Sequence, residues 1–463
     1  MGINFNFAKK YAAEQIIKQA LNYLEKDPEK NLPKVLELAD KVARTEKHHE
    51  HIAAIRKSYN TNPAIRQFVR RLTMVAPSYK DGMIMNFFVN SALMGIPRQY
   101  ELAKELQAAV PWTILIDPTS ACNLSCTGCW AGKYKKSDSL DIDTIDRIIK
   151  EAKELGIYFI VLSGGEPTVY PDLFEIFRRH PDVGFMMYTN GTLIDDEMAD
   201  KMLEAGNISP AISLEGFRES TDARRGEGTY DKIMEAMDRL YNRGIIFGIS
   251  VTVTRQNADE LFATDNFIDH MIDKGAIYGW SFHYIPIGKD TELEMMITPE
   301  QRAQLAYRVP EIRRKKPFFL ADFWNDGTFT GGCIAGGRRY FHINAKGDVE
   351  PCAFVHFAVD NIKEKSLKEV LQNPLFRSYQ KRQPFSKNML APCPIIDQPD
   401  ALRSIVLESG AKPTHPGAET VLMGDIARFL DILSYNWQKA SAPINKQRNK
   451  KTRKHQEKFE KVY

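Results

Sequence analysis

The chain has 463 residues, of which 43% are hydrophobic and 26% charged, so it is long enough for two or three domains with buried cores. Its net charge of +4 is small for this length and gives no reason to expect nucleic acid as a partner. The start, MGINFNFAKKYAAEQ, has no continuous apolar run of the kind found in signal peptides, and six cysteines are too few for a disulfide scaffold. We therefore expect a cytoplasmic protein with free thiols.

Residues 1–108 are predicted to form a helical N-terminal region, because apolar residues recur at helical spacing and no strand alternation is visible. The most apolar stretch, Met83 to Ile96, is too short to span a bilayer and contains two asparagines.

From Trp112 the pattern changes to short β-branched runs that alternate with amphipathic helices. The six predicted strands are 113–117, 158–164, 183–190, 208–215, 245–253 and 278–287. Strands that alternate with helices indicate a parallel sheet, and this number of repeats favours a partial (β/α)6 barrel over a flat sheet. The sequence thus predicts a barrel domain over residues 109–298, with its chemistry at the carboxyl ends of the strands.

Three cysteines, Cys122, Cys126 and Cys129, directly follow the first predicted strand in ACNLSCTGCW. Three neighbouring thiolates can hold one iron–sulfur cubane, which normally takes four cysteines, and so leave one iron open to a cofactor. The alternative is a zinc knuckle. Zinc usually needs a fourth Cys or His close by, and the next histidine downstream is His180.

The second predicted strand ends in LSGGEPTVYPDL, which places Ser163, Gly164, Gly165 and Glu166 at the same end of the barrel as the cysteines. Glycines there allow backbone groups to approach a ligand closely, and Glu166 offers an acceptor for an ammonium group. In isolation this would be an ordinary strand-to-helix turn. The two motifs on consecutive strands, in this order, indicate a binding site.

The Cys-x3-Cys-x2-Cys loop followed by Gly-Gly-Glu-Pro resembles the signature of the radical S-adenosylmethionine (SAM) superfamily, over residues 112 to about 290. The resemblance implies that the three cysteines hold three irons of a [4Fe–4S] cluster. SAM would bind the fourth iron through its amino and carboxylate groups. One-electron reduction would then cleave SAM to methionine and a 5′-deoxyadenosyl radical, which abstracts hydrogen from a substrate. A low-potential electron donor, a ferredoxin or a flavodoxin, would be a partner.

The resemblance also assigns cofactor-binding residues. Gly164, Gly165 and Glu166 would bind the amino end of SAM, and Asn190, after the third strand, would lie near its sugar or amino-acid part. Polar residues after the fourth strand would face the ribose and the carboxylate; these are Ser213, Glu215 and Arg225, with Arg224 able to replace Arg225.

Three further cysteines, Cys333, Cys352 and Cys393, lie in residues 299–400. The segment RYFHIN, a tight turn at Lys346–Asp348 and the returning VEPC predict a hairpin. It resembles the SPASM and twitch extensions of radical SAM enzymes and implies an auxiliary [4Fe–4S] cluster. A complete SPASM domain has seven cysteines, whereas only three are present here. The fourth ligand position of the cluster would therefore be vacant or taken by another side chain; the candidates are His356, His342 and Asp397. The alternative is three buried structural cysteines.

Two other segments complete the chain. The aromatic run FFLADFW, residues 318–324, could line a substrate pocket, although such runs more often belong to a core. Residues 401–463 are predicted to be a helical C-terminal segment. Its lysine- and arginine-rich tail, from Ser441, is typical of a disordered, solvated end.

The sequence predicts the chemistry more closely than the substrate. A lipid chain is the first hypothesis, because Arg66, Arg70 and Arg71 accompany the apolar stretch, as suits a peripheral membrane contact. The glycine before the third cysteine, Gly128, also resembles lipid-modifying members such as the hopanoid-pathway enzymes. The alternative for the helices is packing over the mouth of the barrel. For function, the alternatives are a peptide-modifying enzyme, which the auxiliary hairpin favours, and a non-catalytic iron–sulfur electron carrier or sensor.

Overall fold

The computed structural model describes residues 15–16, 18–20, 22–24, 26–42 and 46–460, and only the backbone of 29, 42, 47, 48, 51 and 449–460. Most of the segment on which the signal-peptide expectation rests, residues 1–14, lies outside the described residues.

The described part of the N-terminal region is helical. Its longer helices are Pro28–Val42, Glu46–Thr61, Pro63–Thr73 and Ile96–Leu106, with a short turn at Pro77–Tyr79 and two π-helices at Lys80–Ile84 and Asn86–Gly95. Local chemistry sets the start of the third helix. The side chain of Asn62 accepts a hydrogen bond from the backbone N–H of Ala64, and Pro63 takes the first helical position.

Seven parallel strands form the centre of the molecule: β1 (Ile114–Ile116), β2 (Phe159–Leu162), β3 (Gly184–Thr189), β4 (Ile208–Leu214), β5 (Gly248–Val253), β6 (Tyr278–His283) and β7 (Phe319–Asp322). The six predicted strands are present and pair in chain order, as expected for a partial barrel. The strand β7 comes from the aromatic run that had been expected in the core. Helices connect the strands at Ile142–Glu154, Leu173–Arg179, Asp196–Ala205, Arg218–Arg225, Thr229–Asn242, Ala258–Phe262, Asn266–Asp273 and Pro299–Lys315.

The C-terminal residues extend this sheet beyond β1. The strand β8 (His342–Ile343) pairs in parallel with β1, and β9 (Val349–Glu350) returns antiparallel to β8, which confirms the predicted hairpin. A separate small sheet joins β10 (Phe357–Ala358) to β11 (Lys412–Pro413). The remaining helices are Gly327–Thr330, Leu367–Leu371, Pro374–Arg382, Pro399–Ser409 and Gly424–Glu460.

The N-terminal helices pack against the amino ends of the strands, at the opposite side of the barrel from the mouth. The backbone N–H groups of Ala76 and Met83 donate to the carbonyls of Gly244 and Gly206, each 2.9 Å away, in the loops before β5 and β4. Gly95 lies so close to Gly156, before β2, that a β-carbon on Gly95 would be 2.3 Å from its carbonyl oxygen. The expectation of packing over the mouth was therefore wrong.

The arginines of this region have intramolecular partners. Arg71 donates to the carbonyls of Ile272 and Pro317, both at 3.0 Å, and Arg66 donates to the carbonyls of Tyr59 and Asn60. Arg70 alone of the three is exposed. Within the described part of the chain, no helix is both long enough and apolar enough to cross a bilayer.

The last helix docks on the barrel through its first half. The indole of Trp437 donates to the carbonyl of Leu390 at 2.8 Å and lies under the guanidinium of Arg302, 4.3 Å from its ring centre. The backbone stays helical as far as Glu460, so the basic tail differs from the disordered end that we expected. Lysine, arginine and glutamine are good helix formers, which lets the docked helix continue into this segment.

Candidate functional site

Three free thiols lie together at the mouth of the barrel. Cys122, Cys126 and Cys129 are half-buried and line one cavity of about 300 Å³, which we call the barrel cavity. Burial raises the pKa of Cys122 and Cys129, so these thiols stay protonated at neutral pH unless a metal replaces the proton. Among the described side chains, no three His, Cys, Asp or Glu groups surround a point closely enough to hold a single ion.

Gly164 and Gly165 make room for the cysteine loop, residues 119–130. A β-carbon on Gly165 would lie 2.0 Å from the carbonyl oxygen of Ala121, and one on Gly164 would lie 2.4 Å from that of Thr119. The backbone N–H of Gly165 donates to Thr119, and the N–H of Glu166 donates to Ala121, at 2.9 and 2.8 Å. The two glycines had been expected to face a ligand. In the structure they also fix the loop that carries the thiols.

The carboxylate of Glu166 is buried and joins the ends of β2 and β3. Its Oε1 accepts from the hydroxyls of Thr168 and Thr189, each at 2.6 Å, and Oε2 accepts from the backbone N–H of Asn190 at 2.7 Å. Burial raises its pKa, while these hydrogen bonds lower it. Glu166 is among the residues that line the barrel cavity. A carboxylate offers about four acceptor positions, so Oε2, with one hydrogen bond, can accept one more donor.

Asn190 connects the end of β3 to the cysteine loop. Its side-chain amide donates to Asn123 Oδ1 at 2.8 Å, and its own Oδ1 accepts from the hydroxyl of Thr192 at 2.7 Å. Asn190 also lines the barrel cavity.

Glu215 holds two arginines at the cavity wall. Its Oε1 accepts from Arg224 at 2.5 Å and from Arg225 at 2.6 Å, and Arg224 also donates to the carbonyl of Thr127 in the cysteine loop. Both arginines and Ser213 line the cavity, whereas Glu215 lies behind them. The structure therefore gives Glu215 a positioning role, and it places Arg224 beside the predicted Arg225.

Gly128 has a packing explanation. Its backbone is left-handed, with φ +64°, and a β-carbon there would lie 2.7 Å from Cε2 of Tyr284. Tyr284 follows β6 and also lines the barrel cavity. The glycine that suggested a lipid-modifying member is thus required by the neighbouring tyrosine.

Aromatic side chains form part of the wall of the barrel cavity. Trp280 and Phe282 project from the same face of β6 and stack with ring centres 5.9 Å apart. Tyr188, Phe323 and Phe354 line the cavity beside them, so residues of the run FFLADFW do reach a pocket. A wall of this kind excludes water from the space in front of the thiols and suits an apolar group.

The second trio of cysteines lines its own cavity of about 490 Å³, which we call the C-terminal cavity. The hairpin β8–β9 presents Cys352, whose sulfur accepts from the hydroxyl of Tyr340 at 2.7 Å, while Cys333 and Cys393 come from loops. Burial raises the pKa of Cys333 to about 11 and that of Cys352 to about 12, and it also raises that of Cys393. Three adjoining thiols of this kind suit a metal cluster better than separate structural roles.

The three candidates for a fourth ligand have other partners. Asp397 is buried and pairs with Arg302 at 2.5 Å and with the backbone N–H of Cys393 at 3.0 Å. His356 lies between the carbonyl of Ala353, 2.8 Å from Nε2, and His415. Neither His356 nor His342 lines the C-terminal cavity.

His342 joins the hairpin to the barrel. Its Nδ1 contacts Glu350 Oε2 at 2.7 Å and its Nε2 lies 2.9 Å from Asp117 Oδ2, at the end of β1. Burial lowers the pKa of His342, but the two carboxylates outweigh burial and raise it to about 10. Glu350 also accepts from Tyr134, just after the third cysteine, at 2.8 Å. This buried network fixes the hairpin relative to the cysteine loop.

The two cavities adjoin, because Trp280, Phe323, Ile334 and Phe354 line both.

Sequence reasoning missed His283, which lines the barrel cavity and has no hydrogen-bond partner for either ring nitrogen among the described residues. Its place at the carboxyl end of β6 was the available signal. Tyr379, in the C-terminal cavity, gave no signal because it lies in an ordinary amphipathic helix.

Comparison with known proteins agrees with this geometry. Residues 116–268 match the Radical SAM superfamily, and residues 333–394 match SPASM, an iron–sulfur cluster-binding domain. The chain is 30% identical over 327 residues to the mycofactocin maturase MftC of Mycolicibacterium smegmatis, which covers 65% of this chain and 80% of that protein. It is 27% identical over 292 residues to the AdoMet-dependent heme synthase of Methanosarcina barkeri, over 57% of this chain and 82% of that protein.

A solved structure shows the same fold. SuiB of Streptococcus suis, bound to S-adenosylmethionine, superposes with a TM-score of 0.54 at 18% identity, over 65% of this chain and 76% of that one. These matches decide against the zinc knuckle and the non-catalytic electron carrier. The chain belongs to the radical SAM superfamily of enzymes, which use a [4Fe–4S] cluster and SAM, and it carries a SPASM domain for auxiliary iron–sulfur binding.

Proposed function

We propose that this enzyme modifies a peptide by abstracting hydrogen from an unactivated C–H bond, with Cys122, Cys126 and Cys129 holding the cluster that binds SAM. The observation that carries the site assignment is that these three free thiols line the same cavity as Gly164–Glu166, Asn190 and the paired arginines. Thiolates are the ligands of iron–sulfur clusters. When bound, the cluster and SAM supply the 5′-deoxyadenosyl radical that removes the hydrogen atom.

The residues of the chain bind and orient the cofactor. The remaining acceptor position on Glu166 Oε2 suits an ammonium group, and the guanidinium groups of Arg224 and Arg225 suit a carboxylate. Glu215 keeps both guanidinium groups in place. Ser213 and Asn190 supply neutral hydrogen-bonding groups for the sugar.

The aromatic wall acts on the substrate side. Trp280, Phe282 and Phe354 shield the reacting space from water, which protects a reactive species from side reactions. His283 follows Phe282 and projects from the opposite face of β6, where its ring stacks on Trp324 with ring centres 5.1 Å apart, so we assign it no contact with the substrate.

A peptide is favoured over a lipid for two reasons. The mycofactocin maturase is 30% identical over most of its length, and the features that suggested a lipid have packing explanations. Arg66 and Arg71 donate to backbone carbonyls within the chain, and Tyr284 accounts for Gly128.

An acyl or isoprenoid chain is the second candidate, and one observation favours it. The aromatic wall is apolar; it is formed by Trp280, Phe282, Phe323 and Phe354. An apolar chain would pack against this wall without leaving a buried polar group unpaired.

Deuterium transfer distinguishes the two candidates. The anaerobically reconstituted enzyme is incubated with SAM, reductant and either a deuterated peptide library or a deuterated lipid extract. The proposal predicts deuterium in 5′-deoxyadenosine with the peptide alone, and a Cys126→Ala variant as control should give none. Transfer from the lipid alone would replace the proposal with the second candidate.

We also propose that Cys333, Cys352 and Cys393 hold an auxiliary [4Fe–4S] cluster, because all three line the C-terminal cavity. Electrons would come from an external low-potential donor of the ferredoxin or flavodoxin type. Iron analysis of the reconstituted protein tests the second cluster: about eight irons per chain support it, and about four would contradict it.

A further inference from the structure

The C-terminal cavity contains a buried hydroxyl without a partner. Tyr379, in the helix Pro374–Arg382, is fully buried, and its Oη has no hydrogen-bond partner among the residues that the structure describes. Leaving a buried hydroxyl unpaired costs about 1–3 kcal/mol, so such a group needs an explanation. Its side chain lines the cavity together with Cys333, Cys352 and Cys393.

The ring of Tyr379 is held in this position. A β-carbon on Gly336 would lie 2.6 Å from Cβ of Tyr379, so the glycine leaves the space that the tyrosine fills. The next residue, Gln380, donates to the carbonyl of Gly336 at 2.9 Å, and Phe385 packs edge-on against the ring. The loop that starts at Cys333 is thereby tied to the helix that carries the hydroxyl.

The three cysteine sulfurs are the charged neighbours of the Tyr379 hydroxyl. Burial raises the pKa of Tyr379 well above its usual value, and negative charge on Cys333, Cys352 and Cys393 raises it further. The hydroxyl thus lies within electrostatic range of all three sulfurs.

Most other oxygen and nitrogen groups near these cysteines are already engaged. The amide oxygen of Gln383 lacks a partner in the described structure, but this side chain does not line the C-terminal cavity. The carboxylate of Asp397 is paired with Arg302, His356 contacts His415, and the hydroxyl of Tyr340 donates to Cys352. The indole of Trp324 also lacks a partner in the described structure, but an indole N–H donates only and does not bind iron.

We propose that Tyr379 supplies the fourth ligand of the auxiliary cluster, as a phenolate bound to the iron that the three cysteines leave open. This inference rests on the auxiliary cluster proposed above. On binding, the O–H bond breaks, an O–Fe bond forms and the proton passes to solvent; no electron is transferred. Tyrosine is an established ligand of iron in other proteins.

The ligation has a consequence for access to the cluster. A cluster bound by four side chains has no open iron, so it can pass electrons but cannot bind a substrate or a small exogenous ligand directly. The barrel cavity adjoins the C-terminal cavity, because Trp280 and Phe354 line both. The auxiliary cluster could therefore exchange single electrons with the reaction site.

The test uses the full chain with Cys126→Ala, which removes the first cluster and leaves the auxiliary cluster as the source of the signal. Tyr379→Phe and the matched control Tyr340→Phe are each added to this background. Iron and sulfide are counted, and EPR spectra of the reduced cluster are recorded with and without cyanide. Pulsed EPR of the parent grown on tyrosine deuterated beside the hydroxyl gives a measurement that needs no change at position 379.

The inference predicts no effect of cyanide on the parent or on Tyr340→Phe, and a changed spectrum with Tyr379→Phe, whose iron is open. It also predicts a strong deuteron coupling in the parent that Tyr340→Phe retains. An identical cyanide response in all three proteins, or a parent without deuteron coupling, would overturn the tyrosine ligand and leave the cluster in place. A Cys126→Ala protein without iron would instead overturn the auxiliary cluster itself.

Discussion

The carbonyl oxygen of Ala121 lies 2.0 Å from the point that a β-carbon on Gly165 would occupy. The loop that carries the three cysteines therefore rests directly on the glycines after β2. The Gly-Gly-Glu-Pro motif and the cysteine motif depend on each other sterically, because the first leaves the space in which the second lies.

Gly165→Ala should therefore displace the cysteine loop. We expect iron to fall from about eight to about four per chain, since Cys333, Cys352 and Cys393 lie elsewhere, and SAM cleavage to be lost. Gly410→Ala is the control. Gly410 has a positive φ, +67°, which Gly165 does not, but nothing lies within 4 Å of its β-carbon, so the alanine should cost about 1 kcal/mol of stability and no iron. An alanine at position 165 with full iron and activity would contradict this interpretation.

Glu215→Gln should weaken SAM binding. The neutral amide no longer holds the guanidinium groups of Arg224 and Arg225, and loss of one partner from a buried ion pair costs about 3–5 kcal/mol, part of which falls on cofactor binding. We expect the Kd for SAM to rise by at least about tenfold, as measured by equilibrium dialysis on reconstituted protein. Asp231→Asn breaks the exposed pair with Arg218 and should leave the Kd unchanged. Equal Kd values for Glu215→Gln and the wild type would be incompatible with the positioning role.

Arg71→Ala tests whether the N-terminal helices serve the fold or a membrane. Its guanidinium donates to two carbonyls below the barrel, so its loss should reduce the free energy of unfolding by about 1.5–3 kcal/mol. Arg70→Ala, at an exposed position, should change stability little. Thermal denaturation measures both variants, and flotation with anionic vesicles should show the same behaviour for both. A stable Arg71→Ala protein that loses vesicle binding would support the membrane hypothesis instead.

His342 should make stability fall at alkaline pH. Its pKa is about 10 in the folded protein, between Asp117 and Glu350, and about 6.5 in an unfolded chain. The stabilisation by the charged imidazole is complete below about pH 6.5 and is lost as the pH rises towards about 10. The melting temperature of the holoprotein should thus decline from pH 7 to pH 10, and less steeply in His342→Gln. Parallel profiles for the two proteins would show that His342 is not charged at neutral pH.

The sequence was sufficient where local patterns determine the structure. The runs that form β2 to β6 are apolar, with β-branched or aromatic residues, and are bounded by helices, and the hairpin at Cys352 has its turn glycine, Gly347. The strand β7 was missed because FFLADFW does not alternate and because the helix before it, Pro299–Lys315, contains a proline, Pro310, that breaks the helical pattern in the sequence. Its pairing with β6 depends on tertiary contacts.

Contacts between distant residues account for the other differences. The position of the N-terminal helices depends on Ala76 meeting Gly244 and on Gly95 meeting Gly156, pairs that no local pattern reveals. In the same way, Tyr284 explains Gly128 only once β6 and the cysteine loop are side by side. The roles of individual site residues, such as Glu215 behind the arginines, also became visible only through these contacts.

The central claim is that Cys122, Cys126 and Cys129 hold the cluster at which SAM is cleaved. Formation of 5′-deoxyadenosine under strong reductant, compared between the wild type, Cys126→Ala and Cys393→Ala, tests it most directly. We predict the product from the wild type and, by uncoupled cleavage, from Cys393→Ala, and none from Cys126→Ala. Product from Cys126→Ala, or its absence from an iron-replete wild type, would contradict the claim.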